Sequence, residues 1–204
     1  MEKPVKEFNI VIAGIGGQGN LLISEIVATA AVRAGQKVRV GETFGAAQRG
    51  GPVASYIRIG SEVYSPILSP RTADLIVGLE PLEALRNAVR FLRQGGTVIL
   101  NTRPIIPTEV SMGINRYPPI QEILDALKRV GAGRVISFDA TAEAEKLGMA
   151  LVMNVIMLGA VAGSGVLPFP TEILREVIAE RLAGPLLDLN IRAFETGLAM
   201  SKLQ

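Results

Sequence analysis

These 204 residues predict an α/β fold: a Rossmann-like, mostly parallel sheet with an inserted β-hairpin and a helical C-terminal third. Three observations point there. Short apolar runs rich in β-branched residues alternate with helical stretches through the first two thirds of the chain, which is the signature of βαβ units. A glycine cluster, Gly14-Ile15-Gly16-Gly17-Gln18-Gly19, falls between the first such strand and the first helix. Beyond Met149 the alternation stops, and the chain reads as helix only. Hydrophobic residues make up 49% and charged residues 20%, enough apolar material for a packed core, so residues 1–204 are expected to form one domain.

Each element has its own reason. Phe8 to Ala13 is a continuous apolar run, as in a strand buried on both faces. In Leu21 to Ala34 the polar Glu25, Thr29 and Arg33 recur every fourth residue, and Gly35 is placed to end that helix. Lys37 to Val40 is a short strand, followed by a loop from Gly41 to Pro52. Val53 to Ile59 and Val63 to Leu68, separated by Gly60-Ser61-Glu62, read as the antiparallel hairpin. Asp74 to Leu79 is another buried strand. Pro81 opens a helix with Leu82, Leu85, Val89 and Leu92 as its apolar stripe, closed at Gly95-Gly96. Thr97 to Leu100 is a strand. Ile120, Ile123, Leu124, Leu127 and Val130 mark the next helix. Arg134 to Phe138 is the last strand, and Asp139 is placed to cap the helix after it. Three helices complete the chain, at about 149–163, at about 171–182, and from Pro185 onward.

Composition excludes whole classes of chemistry. There is no Cys, so the chain offers no disulfide, thiolate nucleophile, iron–sulfur ligand or thiolate zinc site. There is no His either, which removes the side chain best matched to acid–base work near neutrality. Net charge is only +2, aromatic content 4% and Trp absent, so no nucleic-acid footprint is expected. Leu147 to Pro170 lacks charge, yet its dense helical part covers only about 22 Å at 1.5 Å per residue. A hydrocarbon core needs ~30 Å. The expectation is a buried or interface helix, no membrane span, and, with no signal-peptide pattern at the N-terminus, a cytoplasmic protein.

The glycine cluster is the strongest local motif. Its glycines permit a tight turn and close approach of backbone amides to a phosphate, while the amino end of the helix favours negative charge. The bland alternative is a turn that only lets helix and strand pack. An acidic residue that binds an adenosine ribose should stand about twenty residues further on; Glu42 lies somewhat beyond that place. NAD is thereby weakened, and coenzyme A is at least as compatible. Ligands of open α/β sheets sit outside the carboxyl ends of the strands, which adds Thr43, Glu80 and Asn101 to the candidates. Gln48-Arg49-Gly50-Gly51-Pro52 sets a planar cation beside two glycines, suited to carboxylate or phosphate or else simply solvated. The candidate cofactor-binding set is therefore Gly14, Gly16, Gly17, Gln18, Gly19, Thr43, Gln48, Arg49 and Asn101, with no catalytic and no metal-ligating residue. Asn154, alone in an apolar helix, reads either as a satisfied core amide or as a ligand contact.

Taken in order, several segments resemble a known family. They are Gly14 to Gly19, Gly41-Glu42-Thr43, Gln48 to Gly51, Leu79-Glu80-Pro81-Leu82-Glu83-Ala84-Leu85, Asn101-Thr102-Arg103-Pro104, Asn154 to Ala160 and Asn190 to Glu195. The sequence is similar to the small subunit of the indolepyruvate (arylpyruvate) ferredoxin oxidoreductases, equivalent to the gamma domain of 2-oxoacid ferredoxin oxidoreductases. It departs from the indolepyruvate branch at Phe44, a position often occupied there by His. The resemblance implies an accessory subunit with an obligate larger partner carrying thiamine diphosphate and iron–sulfur clusters. It also implies ferredoxin as electron acceptor of the complex, coenzyme A as acyl acceptor, and a phosphate role for Gly16, Gly17, Gln18 and Gly19. Two rival readings are a stand-alone dinucleotide-binding or redox-sensing module and a purely structural subunit with no ligand at the loop. The apolar helix beginning at Met149 is expected to give part of its surface to the partner, because a helix apolar all round must be covered all round.

Overall fold

The computed structural model describes residues 5–44, 50–106, 110 and 112–203. Among these, six strands form one sheet: β1 (Phe8–Ile15), β2 (Val38–Phe44), β3 (Pro52–Ile59), β4 (Ala73–Gly78), β5 (Leu92–Asn101) and β6 (Arg134–Phe138), in the spatial order β2-β3-β1-β4-β5-β6. β1, β4, β5 and β6 are parallel neighbours, whereas β3 runs antiparallel to both β1 and β2. Helices cover both faces, which the apolar strands require. One face carries Ile10, Ile12, Leu75, Val77, Ile99 and Ile136 against α1 (Asn20–Arg33) and the C-terminal helices. The other carries Val11, Ile76, Val98 and Leu100 against α2 (Pro81–Phe91) and α3 (Ile120–Val130).

The C-terminal third consists of α4 (Ala140–Lys146), a 3-10 turn (Ala150–Val152), α5 (Met153–Ser164), α6 (Glu172–Arg181) and α7 (Leu187–Lys202). α5 is sandwiched, with Val155, Ile156, Leu158 and Val161 all buried. α5 and α7 meet at backbone distance: a Cβ on Gly159 would overlap the Phe194 carbonyl, and one on Gly197 the Ile156 carbonyl. The apolar helix is thus covered by its own chain. Small residues let α7 lie against it, so most of the surface expected to meet a partner is covered internally, whereas Leu151, just before the helix, stays exposed. No helix among the described residues is long and apolar enough to cross a membrane.

Three further expectations are corrected. The antiparallel hairpin joins β2 to β3, with Glu42 paired to Ser55 and Thr43 to Ala54, and so β2 runs on through residues read as loop. Val63 to Leu68 is not a strand, although Val63 and Leu68 are buried while Tyr64 and Ile67 are exposed. Arg58 holds it as a loop, donating from Nη1 to the Ser65 and Ile67 carbonyls at 2.9 Å each. α2 buries Ala84, Ala88 and Phe91 and leaves Val89 exposed. A Cβ on Gly78 would collide with Ala84, so small side chains set the contact between this helix and the sheet. The helix also ends at Phe91, before Gly95-Gly96, which fall within β5.

Candidate functional site

β1 delivers the glycine loop to the carboxyl edge of the sheet. Gly17 and Gly19 take φ of +107° and +92°, a region that side chains with a Cβ rarely enter. Gly16 is tied to the start of β3, its N–H donating to the Gly51 carbonyl at 2.9 Å and its carbonyl accepting from Gly50 N–H at 3.3 Å. Gln18 closes the turn from inside: Oε1 accepts the Ile15 N–H at 2.7 Å, and Nε2 donates to the Leu79 carbonyl at 3.0 Å. Gly14 is a close-packing glycine, since a Cβ there would press on Gln18, Asn20 and Leu79.

Asn101, fully buried at the end of β5, also donates to the Leu79 carbonyl (3.0 Å) and to Thr141 Oγ1 (3.1 Å). Its Oδ1 accepts from the Ala140 N–H at 3.0 Å and from the Arg103 N–H at 3.4 Å. Both amide hydrogens and both lone pairs are used within the chain. Asn101 is therefore a clip that ties the residues leaving β4 and β6 to the end of β5.

The helices leaving this edge differ at their starts. Glu80 caps α2, its Oε2 accepting the Glu83 N–H at 2.9 Å, and Tyr117 donates its phenol to the same carboxylate. Burial, and then that hydrogen bond, push the Tyr117 phenol well above its ordinary value, and burial also raises the Glu83 carboxyl. Asp139 caps α4 by accepting the Ala142 N–H at 2.8 Å, as its place in the sequence predicts. α1 begins at Gly19 with no side-chain cap and no acidic residue in its first turn. Among the described residues no side chain caps its first amides, and the positive end of its dipole favours an anion there.

Two pockets flank this uncapped end. One, of about 240 Å³, is lined by Gly16, Gly17, Gly19, Asn20, Leu21, Glu42 and Val53. Its carboxylate is already engaged: Glu42 accepts from Ser24 Oγ at 2.9 Å and from Ser55 Oγ at 2.8 Å. The other, of about 230 Å³, lies between Gly17-Gln18 and the side chains of Arg103, Thr141 and Asn154, with Ile105, Leu151 and Met153 as apolar wall. Arg103 is oriented by Asp139 (Nε to Oδ2, 3.0 Å) and by Glu145 (3.5 Å).

The structure brings together Gly14, Gly16, Gly17, Gln18, Gly19 and Asn101 of the sequence-predicted set, although the Gln18 and Asn101 side chains spend their amides on the scaffold. Thr43 stands apart: its Oγ1 donates to the Ala54 carbonyl at 3.2 Å, and it lines a different cavity with Tyr56, Pro66, Ile67, Arg90 and Phe91. Gln48 and Arg49 lie outside the described residues. Arg103 and Thr141 are pocket residues that sequence reasoning missed as individuals. Arg103 could have been found, because it lies three residues past a predicted strand end, in the turn Asn101-Thr102-Arg103-Pro104; nothing local marks Thr141.

A sheet of this order, with a glycine turn at the carboxyl end of its first strand, defines a Rossmann-like α/β protein. The chain matches the pyruvate ferredoxin/flavodoxin oxidoreductase family over residues 9–200. It belongs to that family. The indolepyruvate oxidoreductase subunit IorB of Thermococcus kodakarensis is 41% identical over 198 residues, covering 97% of this chain and 98% of that one. The subunit of the same name from Archaeoglobus fulgidus is 45% identical over 189 residues, covering 93% and 92%. Among solved structures, a 2-oxoglutarate:ferredoxin oxidoreductase from Magnetococcus marinus, with 2-oxoglutarate, coenzyme A and succinyl-CoA bound, shares the fold with a TM-score of 0.71 at 21% identity. The match covers 98% of this chain and 32% of that longer one. The motifs read from the sequence therefore point to the family to which the chain belongs.

Proposed function

We propose that this chain is the accessory subunit of a complex that oxidatively decarboxylates an arylpyruvate, with indolepyruvate as the leading substrate, to an acyl-CoA while passing electrons to ferredoxin. The observation that carries the reading is full-length identity of 41–45% with subunits named for indolepyruvate oxidoreductase. Composition agrees. Without Cys or His these residues cannot ligate iron–sulfur clusters by the usual side chains or run imidazole catalysis, so the larger partner supplies thiamine diphosphate, clusters and the bond-breaking steps. Partnership is obligate for activity in this reading, and the cytoplasm is its place.

The glycine loop suits coenzyme A by its geometry. Gly17 has open space where a Cβ would stand, α1 is uncapped, and Arg103 lies across the pocket. A phosphate there would meet the α1 amides and a guanidinium, two donors that favour an anion. Coenzyme A supplies the thiol that accepts the acyl group; this chain's residues bind and orient its phosphate end. The dinucleotide reading is less well supported, because both oxygens of Glu42 already accept serine hydroxyls.

Affinity purification of the chain from its native cell tests the proposal. A larger subunit with thiamine diphosphate and brown cluster colour should come down in stoichiometric amount, and calorimetry on that complex should detect coenzyme A and not NADH. Recovery without such a companion, or NADH binding alone, would overturn it.

A further inference from the structure

α5 is apolar from end to end but for Asn154 and the closing Ser164, and Asn154 sits in its first turn facing the glycine loop. Its carboxamide lies directly against Gly19: a Cβ on Gly19 would overlap Asn154 Nδ2. Gly19 is the residue from which α1 starts, so this amide stands beside the uncapped helix end, over the same opening. Asn154 is half-buried and lines the pocket with Gly17, Gln18, Arg103 and Thr141. The neighbouring carboxamides Gln18 and Asn101 have hydrogen bonds at both their nitrogen and oxygen ends. No hydrogen bond is found for the Asn154 side chain among the described residues. A carboxamide at the rim of a pocket, half-buried and without a protein partner among the described residues, is open to pair with whatever group occupies that pocket.

We infer that Asn154 is a ligand-binding residue, donating through Nδ2 to the anionic phosphate group held over the amino end of α1. The inference rests on the coenzyme A reading above and deepens it. The grip then comes from two elements far apart in sequence, the start of α1 and the start of α5, with Arg103 opposite. Asp139 and Glu145 hold that guanidinium in place, and they also put two carboxylates near the pocket. With part of the charge of Arg103 offset in this way, a neutral donor at Asn154 adds more to discrimination.

The experiment uses the assembled complex and coenzyme A as probe, with Asn154→Asp, Asn154→Leu and Gly17→Val prepared in parallel. Asn154→Asp keeps the shape, removes the donor and adds a negative charge. Near a helix amino end that charge favours the fold and opposes an anionic ligand. The dissociation constant for coenzyme A from calorimetry should rise by about tenfold or more, the size of one charge-assisted hydrogen bond, while the thermal midpoint stays at or above that of the unmodified complex. Asn154→Leu should weaken coenzyme A binding in the same direction. If both Asn154 variants bind coenzyme A normally while Gly17→Val does not, the Asn154 role is overturned and the loop reading stands. A lowered midpoint with unchanged affinity would also overturn it, in favour of packing alone. No coenzyme A binding by the unmodified complex would bring down the coenzyme A reading and this inference with it.

Discussion

Glycines do opposite work in two regions of this molecule. In the loop at the end of β1, Gly17 has no atom near where its side chain would be. It is there for its backbone torsion and for the space it leaves. Between α5 and α7, Gly159 and Gly197 are helical and each lies against a carbonyl of the other helix. They are there because two backbones pass too close for a methyl group. The same residue type keeps space open at the edge and removes it in the core, so one kind of substitution should have different consequences in the two places.

The largest effect is expected at the helix crossing. Gly197→Val puts three carbons where the Ile156 carbonyl stands and must push α7 off α5. Overpacking against a backbone carbonyl costs about 3 kcal/mol, the upper end of the usual range, and on a chain of this size that is a fall of roughly 10 °C in thermal midpoint by calorimetry. A midpoint unchanged within roughly 2–3 °C, the shift of about 1 kcal/mol, would show that the two backbones do not pass as closely as described.

Asn101→Ala comes next, and it divides the carboxyl edge into scaffold and ligand-facing parts. The hydrogen bonds of the carboxamide disappear, and the Leu79 carbonyl and Ala140 N–H lose a buried partner, for a cost of about 2–3 kcal/mol. Chemical denaturation should show the loss as a lower midpoint with an unchanged slope. Stability within about 0.5 kcal/mol of the unmodified chain, the scatter of an ordinary surface substitution, would break the description of Asn101 as a clip.

Gly17→Val has the smallest structural effect and the most specific functional one. Among the described residues no atom lies within 4 Å of a Cβ at this position, so the main stability cost is the torsional strain of φ +107°, about 1–2 kcal/mol. Gly17 lines both pockets, so bulk there should raise the Michaelis constant for coenzyme A in the assembled complex at least about tenfold, the effect of losing one charge-assisted contact. An unchanged constant with the fold intact would separate the loop from any ligand. The contrast between the two glycine regions would then be one of packing alone.

Local pattern carried much of this fold. β1 and β4 stand out as apolar runs, β6 falls at the Arg134–Phe138 read as a strand, α3 spans the Ile120–Val130 read from its stripe, and Asp139 caps α4 as its position suggests. Elements defined by long-range pairing did not show. β2 continues through Glu42 and Thr43 only because β3 lies beside it, and Val63 to Leu68 has the composition of a strand but is pinned as a loop by Arg58. In α2 the large residues suggested one face, and the small ones, Ala84 and Ala88, made the contact. Periodicity weighs side chains by hydrophobicity, whereas close packing against Gly78 selects them by size.

Residue type and short-range order suffice for the fold class, the place of the glycine turn and the chemistry this chain lacks. They also suffice for the family, through motifs too many and too ordered to arise from packing. Which polar side chains near that turn are spent, and which are free, emerges only once the elements have packed. Gln18 and Asn101 looked like ligand groups and proved to bond to the ends of neighbouring strands. Asn20, next to Gly19, pairs its Nδ2 with the Ile12 carbonyl and leaves its buried Oδ1 without a partner, while Asn154, lying 135 positions beyond Gly19, has no hydrogen bond at either end among the described residues. Hydrogen-bond partners are allotted by proximity in space, and that proximity is set when α5 packs against the sheet.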